Sequence, residues 1–166
     1  MPTIVHSFDW PDRVVVGTIG QPGSRSFYLQ ARTGPRVVSV SLEKEQSAVL
    51  AETIEEILDE LMADDGNPFH VPADAPVELI DNDPLDQPVE PEFRTGSISL
   101  GWDPSTAQLV IEAYPIDDES DEDGDGDAEP TETFVIRIPV GLARAFAART
   151  LEIVAAGRPP KSDDSL

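Results

Sequence analysis

Apolar and polar residues alternate with a period of two through RVVVGTIG, SRSFYLQART and PRVVSVSLE, which predicts strands over 13–20, 24–33 and 35–43. Between the first two, Gln21-Pro22-Gly23-Ser24 has turn chemistry: proline presets φ at the first central position and glycine accepts a positive φ at the second. The period then changes to 3.6. From Lys44 to Met62, the residues Leu50, Ile54, Ile57, Leu58 and Leu61 form one stripe, while Glu52, Glu55, Glu56 and Asp59 face water. The second half repeats the plan with strands FRTGSISLGW, TAQLVIEAYP and ETFVIRIPV, a turn at Asp103-Pro104-Ser105, and a closing helix GLARAFAARTLEIVAAG.

The halves also share short stretches. Gly17-Thr18-Ile19 resembles Gly96-Ser97-Ile98, Phe27–Ala31 resembles Leu109–Ala113, and Thr53-Ile54-Glu55 lines up with Thr150-Leu151-Glu152. The expectation is an α+β two-layer sandwich: a tandem βββα repeat giving a six-stranded, mostly antiparallel sheet with two helices on one face. Two amphipathic βββα units of separate origin would give the same order. A single domain is expected over 1–158. It comprises repeat one at about 4–63, an acidic Pro-rich linker at about 64–92, and repeat two at about 93–158 with an acidic loop at 117–132. A flexible tail is expected at 159–166.

Charge sharpens that division. The net charge of −22 arises from 33 acids against 11 Lys and Arg, but residues 64–92 hold nine acids and residues 117–132 hold ten, neither with a base. The remaining 14 acids nearly balance the bases. Both acidic segments read as solvated and solubilising, or as a lure for a basic partner. An acidic exterior repels phosphate backbones, so direct nucleic-acid binding is not expected. The 166 residues suffice for one core, and the absence of cysteine removes disulfides and thiolate chemistry. MPTIVHSFDWPDR has neither a basic nor an apolar leader region, and no apolar run is long enough to span a membrane. A cytoplasmic location is therefore expected.

Candidate chemistry is sparse. In DEDGDGDAEPTE, residues 121–132, Asp121, Asp123, Asp125 and Glu132 match an EF-hand loop, but the stretch joins two predicted strands where that motif needs two helices. It reads as an acidic loop with a weak calcium pattern. The glycines of GTIGQPG lead into a strand, whereas a phosphate cradle needs a following helix N-terminus, usually with Lys. His6 and His70 lie in no metal-ligand spacing, and no nucleophile elbow occurs, so neither an enzyme nor a cofactor is expected.

Alternation also assigns faces. Phe27, Leu29, Ala31, Val38, Val40, Leu42, Ile111, Phe134, Ile136 and Ile138 should meet the helices, leaving Tyr28, Gln30, Arg32, Ser39, Ser41, Glu112, Tyr114 and Arg137 on the other face. Such a face can be merely solvated. Tyr and Arg also dominate binding hot spots, so Tyr28, Gln30, Arg32, Glu112, Tyr114 and Arg137 are candidate partner-binding residues. Arg144 and Arg149 are a second candidate, a basic patch on the closing helix.

FDWPDRVVVGTIGQPGSRSFYLQA, VSVSLEKEQ, LAETIEEILDEL, PVEPEFRTGSISLGWD and ARAFAARTLEIVAAGRPP together resemble the actinobacterial DUF3090 family. That resemblance implies an intracellular regulatory role, with members linked to ParA-type chromosome-segregation ATPases, and no catalytic residues. It covers nearly the whole chain apart from the acidic segments and the last residues. The family's usual Cys- and His-containing tail is replaced here by KSDDSL, so the chain is truncated or belongs to a branch without that tail. The expected function is a non-enzymatic protein that modulates a cytoplasmic protein partner, such as assembly of a ParA-like ATPase. The alternative is an enzyme or small-molecule-binding accessory protein using the polar sheet face. A homodimer through that face or the edge strands is a third arrangement.

Overall fold

The computed structural model describes residues 4–21, 23–116 and 132–156. The elements are β1 (Ile4–Asp9), β2 (Arg13–Ile19), β3 (Ser26–Thr33), β4 (Arg36–Leu42), α1 (Lys44–Ala63), β5 (Pro91–Asp103), β6 (Gln108–Pro115), β7 (Glu132–Pro139) and α2 (Val140–Ala156). The α+β class and both helices agree with the periodicity. The sheet does not: it has seven strands, in the order β1-β7-β6-β5-β4-β3-β2, and it is mixed. β1 pairs parallel to β7 and β4 parallel to β5; the other neighbours are antiparallel. The additional strand, β1, has adjacent exposed apolar residues in Ile4 and Val5 and buries only Phe8, so its alternation is faint.

βββα does occur twice after β1, but the two units are not matched. β5 is 13 residues long and bulges between Thr95 and Ser97; its start pairs with β4 and the remainder with β6. β2 is a seven-residue edge strand. Gly96-Ser97-Ile98 thus lies in a bulged central strand, while Gly17-Thr18-Ile19 ends an edge. The expected repeat extends to element order and no further.

The connection between β1 and β2 bends the sheet. They are opposite edges of the strand order, yet only Trp10-Pro11-Asp12 joins them. Seven flat strands would separate the edges by about 29 Å, whereas the four steps from Asp9 to Arg13 reach at most ~15 Å. The sheet must curl until its edges approach. Contacts across the seam agree: Asp12 N–H donates to Arg32 O (2.8 Å), Gly34 N–H to the Asp12 carboxylate (2.7 Å), and Arg36 to Ser7 O (2.9 Å). The Arg36 guanidinium also lies 4.1 Å from the Phe8 ring centre.

Inside the curl, all ten residues predicted to face the helices are buried. They meet Leu50, Ala51, Ile54 and Leu58 of α1 and Ala143, Phe146, Ala147 and Val154 of α2. Arg144 stands within this helix pair. The segment between α1 and β5 departs from expectation, because it is held against the fold. Asn67 binds both backbone groups of Val71 (2.9 and 3.0 Å), Val71 enters the core, and Phe69 packs edge-on against Trp102 at 5.0 Å. Beyond a 3-10 turn at Val77–Leu79, residues 81–86 cross the outer face of the sheet beside β2 and β3. Two acids of this strap, Asp81 and Asp86, have cationic partners within the chain. Residues 117–131 and 157–166, covering most of the second acidic segment and the tail, lie outside the described residues.

Candidate functional site

Strand register places the predicted outer residues side by side: Gly17, Tyr28 and Ser41 in one row, Val15, Gln30 and Ser39 in the next, and Arg13 beside Arg32. Across β5, β6 and β7 the rows continue with Ser97 beside Tyr114, Ser99 beside Glu112 and Val135, and Val110 beside Arg137. The outer face is therefore the one alternation assigned.

Its first half is occupied by the strap. Arg13, 7% exposed, donates to Asp81 through Nε (2.6 Å) and Nη2 (3.0 Å), to Asp83 O (2.7 Å) and to Asp86 (3.1 Å). The hydrogen bond that Arg13 donates to Asp81 is the largest influence raising the Arg13 pKa above its ordinary value. Burial pushes the Asp81 carboxyl up, but the hydrogen bonds from Arg13 and the Asp83 N–H, with the Arg13 charge, outweigh it and hold it below the usual range. Gln30, 1% exposed, donates to Ser39 Oγ and Asp86 O and accepts from Asp86 N–H (2.8 Å). Arg32 reaches both Asp86 oxygens at 3.1 and 3.2 Å. Gln30 and Arg32, predicted to bind a partner, are engaged by the chain's own acidic strap.

The basic patch on α2 is corrected as well. Arg144 is 3% exposed and donates to Pro72 O (2.9 Å), Asp59 (3.0 Å) and Glu55, so it ties α2 to α1 and is not a surface cation. Arg149 pairs with Glu152 at 3.2 Å, within its own helix, and its Nε makes no hydrogen bond among the described residues. Arg137 is bound to Asp103 (2.5 Å) and Gln108 (3.3 Å). Hydrogen bonds from Ser105 and then Arg137 lower the Asp103 pKa to about 2. The Tyr114 hydroxyl donates to Glu112 (3.0 Å); burial first, then Glu112, raises its pKa.

At the open end of the first half, Tyr28 and Ser41 border a cavity of about 420 Å³. Gly23, Arg25, Ser26, Phe27, Leu42, Glu43, Lys44 and Arg94 complete it. Three separate segments supply its cations. Arg25 follows the β2–β3 turn, donating to Ile153 O (3.1 Å) and standing 4.9 Å from the Phe27 ring centre. Lys44 is the first residue of α1, and Arg94 pairs with Ser41 across the parallel β4–β5 ladder. Glu43 lies 3.9 Å from Arg94, with both side chains more than 70% exposed, a geometry worth little. The turn depends on Gly20, whose φ is +106° and whose Cβ would meet Ser24 O at 2.9 Å. None of these cations was singled out as a site residue from the sequence, since they are separated by up to 69 positions. The signal was the glycine loop GTIGQPG: the helix start it lacks in sequence arrives through α1, at Lys44. A second cavity, about 460 Å³, lies between α1 and β5 and includes Val49, Ile57, Ile98 and Leu100.

Among the described residues, one group of side chains could hold a metal ion. The ligand atoms of His6, Glu92 and Glu132 lie within 4.8 Å of one another, and His6 Nε2 is 3.0 Å from Glu132. Glu132 thus opens β7 with its carboxylate in reach of a histidine, while Asp121, Asp123 and Asp125 lie outside the described residues. His70 is exposed in a turn, with φ +57°. No helix among the described residues is long and apolar enough to cross a membrane.

Comparison with known proteins found no matching curated protein and no matching solved structure. A family model does match, that of DUF3090, described as a protein of unknown function, over residues 6–162. The match covers both helices, the strap and all seven strands but for the start of β1, and the chain belongs to the DUF3090 family.

Proposed function

We propose that this chain is a non-enzymatic regulatory protein that binds through the polar face of its sheet and modulates a cytoplasmic protein partner. The family resemblance suggests a ParA-like ATPase as that partner. The observation that carries this reading is the division of the face. The strap engages Arg13, Gln30 and Arg32 over one half, while Ser97 and Ser99 stay exposed on the other, with Glu112 and Tyr114 half-buried beside them. Side chains on pleated, paired strands offer a pre-organised surface, which lowers the entropic cost of association. To modulate assembly, the chain must bind monomer and polymer with different affinity, because equal affinity shifts nothing. Assembly of a purified ParA-like ATPase, followed by light scattering with and without this chain, tests the reading. A shift in the assembly midpoint that Tyr114→Ala and Ser99→Trp abolish is expected; an unchanged midpoint overturns it.

A second reading, a small-molecule-binding accessory protein, is favoured by the cavity at Tyr28 and Ser41. Its volume lies within the range of ligand pockets, about 300–1,000 Å³.

A further inference from the structure

We infer that the cavity bounded by Arg25, Lys44 and Arg94 is a binding site for the phosphoryl group of a small phosphate monoester. This rests on reading the polar face as a binding surface and names the ligand class at one end of it.

The distribution of cations carries the inference. In a chain with three acids for every base, most described cations are matched to carboxylates: Arg13 and Arg32 on the strap, Arg137 on Asp103, Arg144 on Glu55 and Asp59, Arg149 on Glu152. Arg25, Arg36 and Lys44 have no carboxylate within ion-pair distance among the described residues, and Arg94 has only the loose, exposed contact with Glu43. Arg25, Lys44 and Arg94 share one concavity, and Arg36 instead lies on Phe8 at the seam. Three like charges lining one pocket favour an anion there over a cation or a neutral group. Counting Glu43, the lining carries a formal charge of +2, which matches a phosphate monoester of about −1.5 to −2 at pH 7. Guanidinium forks suit phosphate oxygens, and Ser26, Ser41 and Tyr28 add hydroxyl donors. The pocket also faces a molecule of net charge −22, whose long-range field repels a polyanion, while a small ligand within about 8 Å of the cations escapes most of it.

Isothermal titration at 0.15 M salt would use adenosine monophosphate, inorganic phosphate and succinate as probes. The proteins are the full chain, Lys44→Gln/Arg94→Gln, and Arg36→Gln as a cation control outside the pocket. Saturable one-to-one binding of both phosphate probes is expected, weakened at least tenfold in the double variant and unchanged in Arg36→Gln, with succinate binding at least tenfold more weakly. Absence of saturable phosphate binding, equal binding by the double variant, or succinate binding as tightly as phosphate each overturns the assignment. Circular dichroism confirms that the double variant is folded. Phosphate binding without any effect on the ATPase sinks only the partner reading; an ATPase effect without phosphate binding sinks only the pocket.

Discussion

Leu85 lies so close over Gly17 that a Cβ added at position 17 would come within 2.5 Å of the Leu85 Cγ. The bare backbone of an edge strand is what allows the strap to lie flat on the sheet. Gly17→Ala should therefore lift the strap and lower stability by about 1–3 kcal/mol, the usual cost of overpacking. Hydrogen exchange should show faster exchange at residues 81–86 than in the parent chain. Unchanged protection there, with an unchanged denaturation midpoint, would show that the strap does not depend on this contact.

The Arg13–Asp81 clamp has a pH signature. The folded pKa of Asp81 is depressed, so its contribution to stability is fully present above the unfolded value near 3.8 and is lost as pH falls through the lower folded value. Asp81→Asn should cost about 1–3 kcal/mol at pH 7, below the figure for a fully buried pair because Arg13 keeps Asp86 and Asp83 O. In urea titrations, the gap between parent and variant should hold from pH 7 to pH 5 and shrink below pH 4. A gap that widens on acidification would reverse the sign argued here.

Arg144 separates structure from surface chemistry. Arg144→Ala should cost about 2–4 kcal/mol by leaving the half-buried Glu55 and the Pro72 carbonyl without their donor, although the more exposed Asp59 can turn to water. Below the unfolding transition, the same variant should bind partner and phosphate as the parent does. A binding loss with unchanged thermal stability would return Arg144 to the role its sequence position suggested.

The sequence made the sheet faces and both helices legible because one side of each strand enters a core: Phe27, Leu29, Ile111 and Ile136 alternate without interruption. It did not reveal β1, whose Ile4 and Val5 both stay exposed, nor the parallel β4–β5 pairing, which depends on where the strap delivers Pro91. The strap read as a solvated linker because its anchors are acids whose partners, Arg13 and Arg32, lie 54 to 73 residues away. Composition records Asp81 and Asp86 as solvated charges; only the fold places guanidinium groups against them. The cavity cations were hidden for the same reason, and Arg144 looked exposed because an Arg on an Ala-rich helix gives no sign of the carboxylates opposite.

Backbone amide shifts during titration with adenosine monophosphate, and then with the ParA-like ATPase, test most directly the claim that the polar sheet face is the working surface. The account predicts phosphate-induced shifts confined to Arg25–Tyr28, Ser41–Lys44 and Arg94, and ATPase-induced changes at Ser97–Ser99 and Glu112–Tyr114. Shifts gathered on α1 and α2, with the sheet residues unmoved by either titrant, would contradict it.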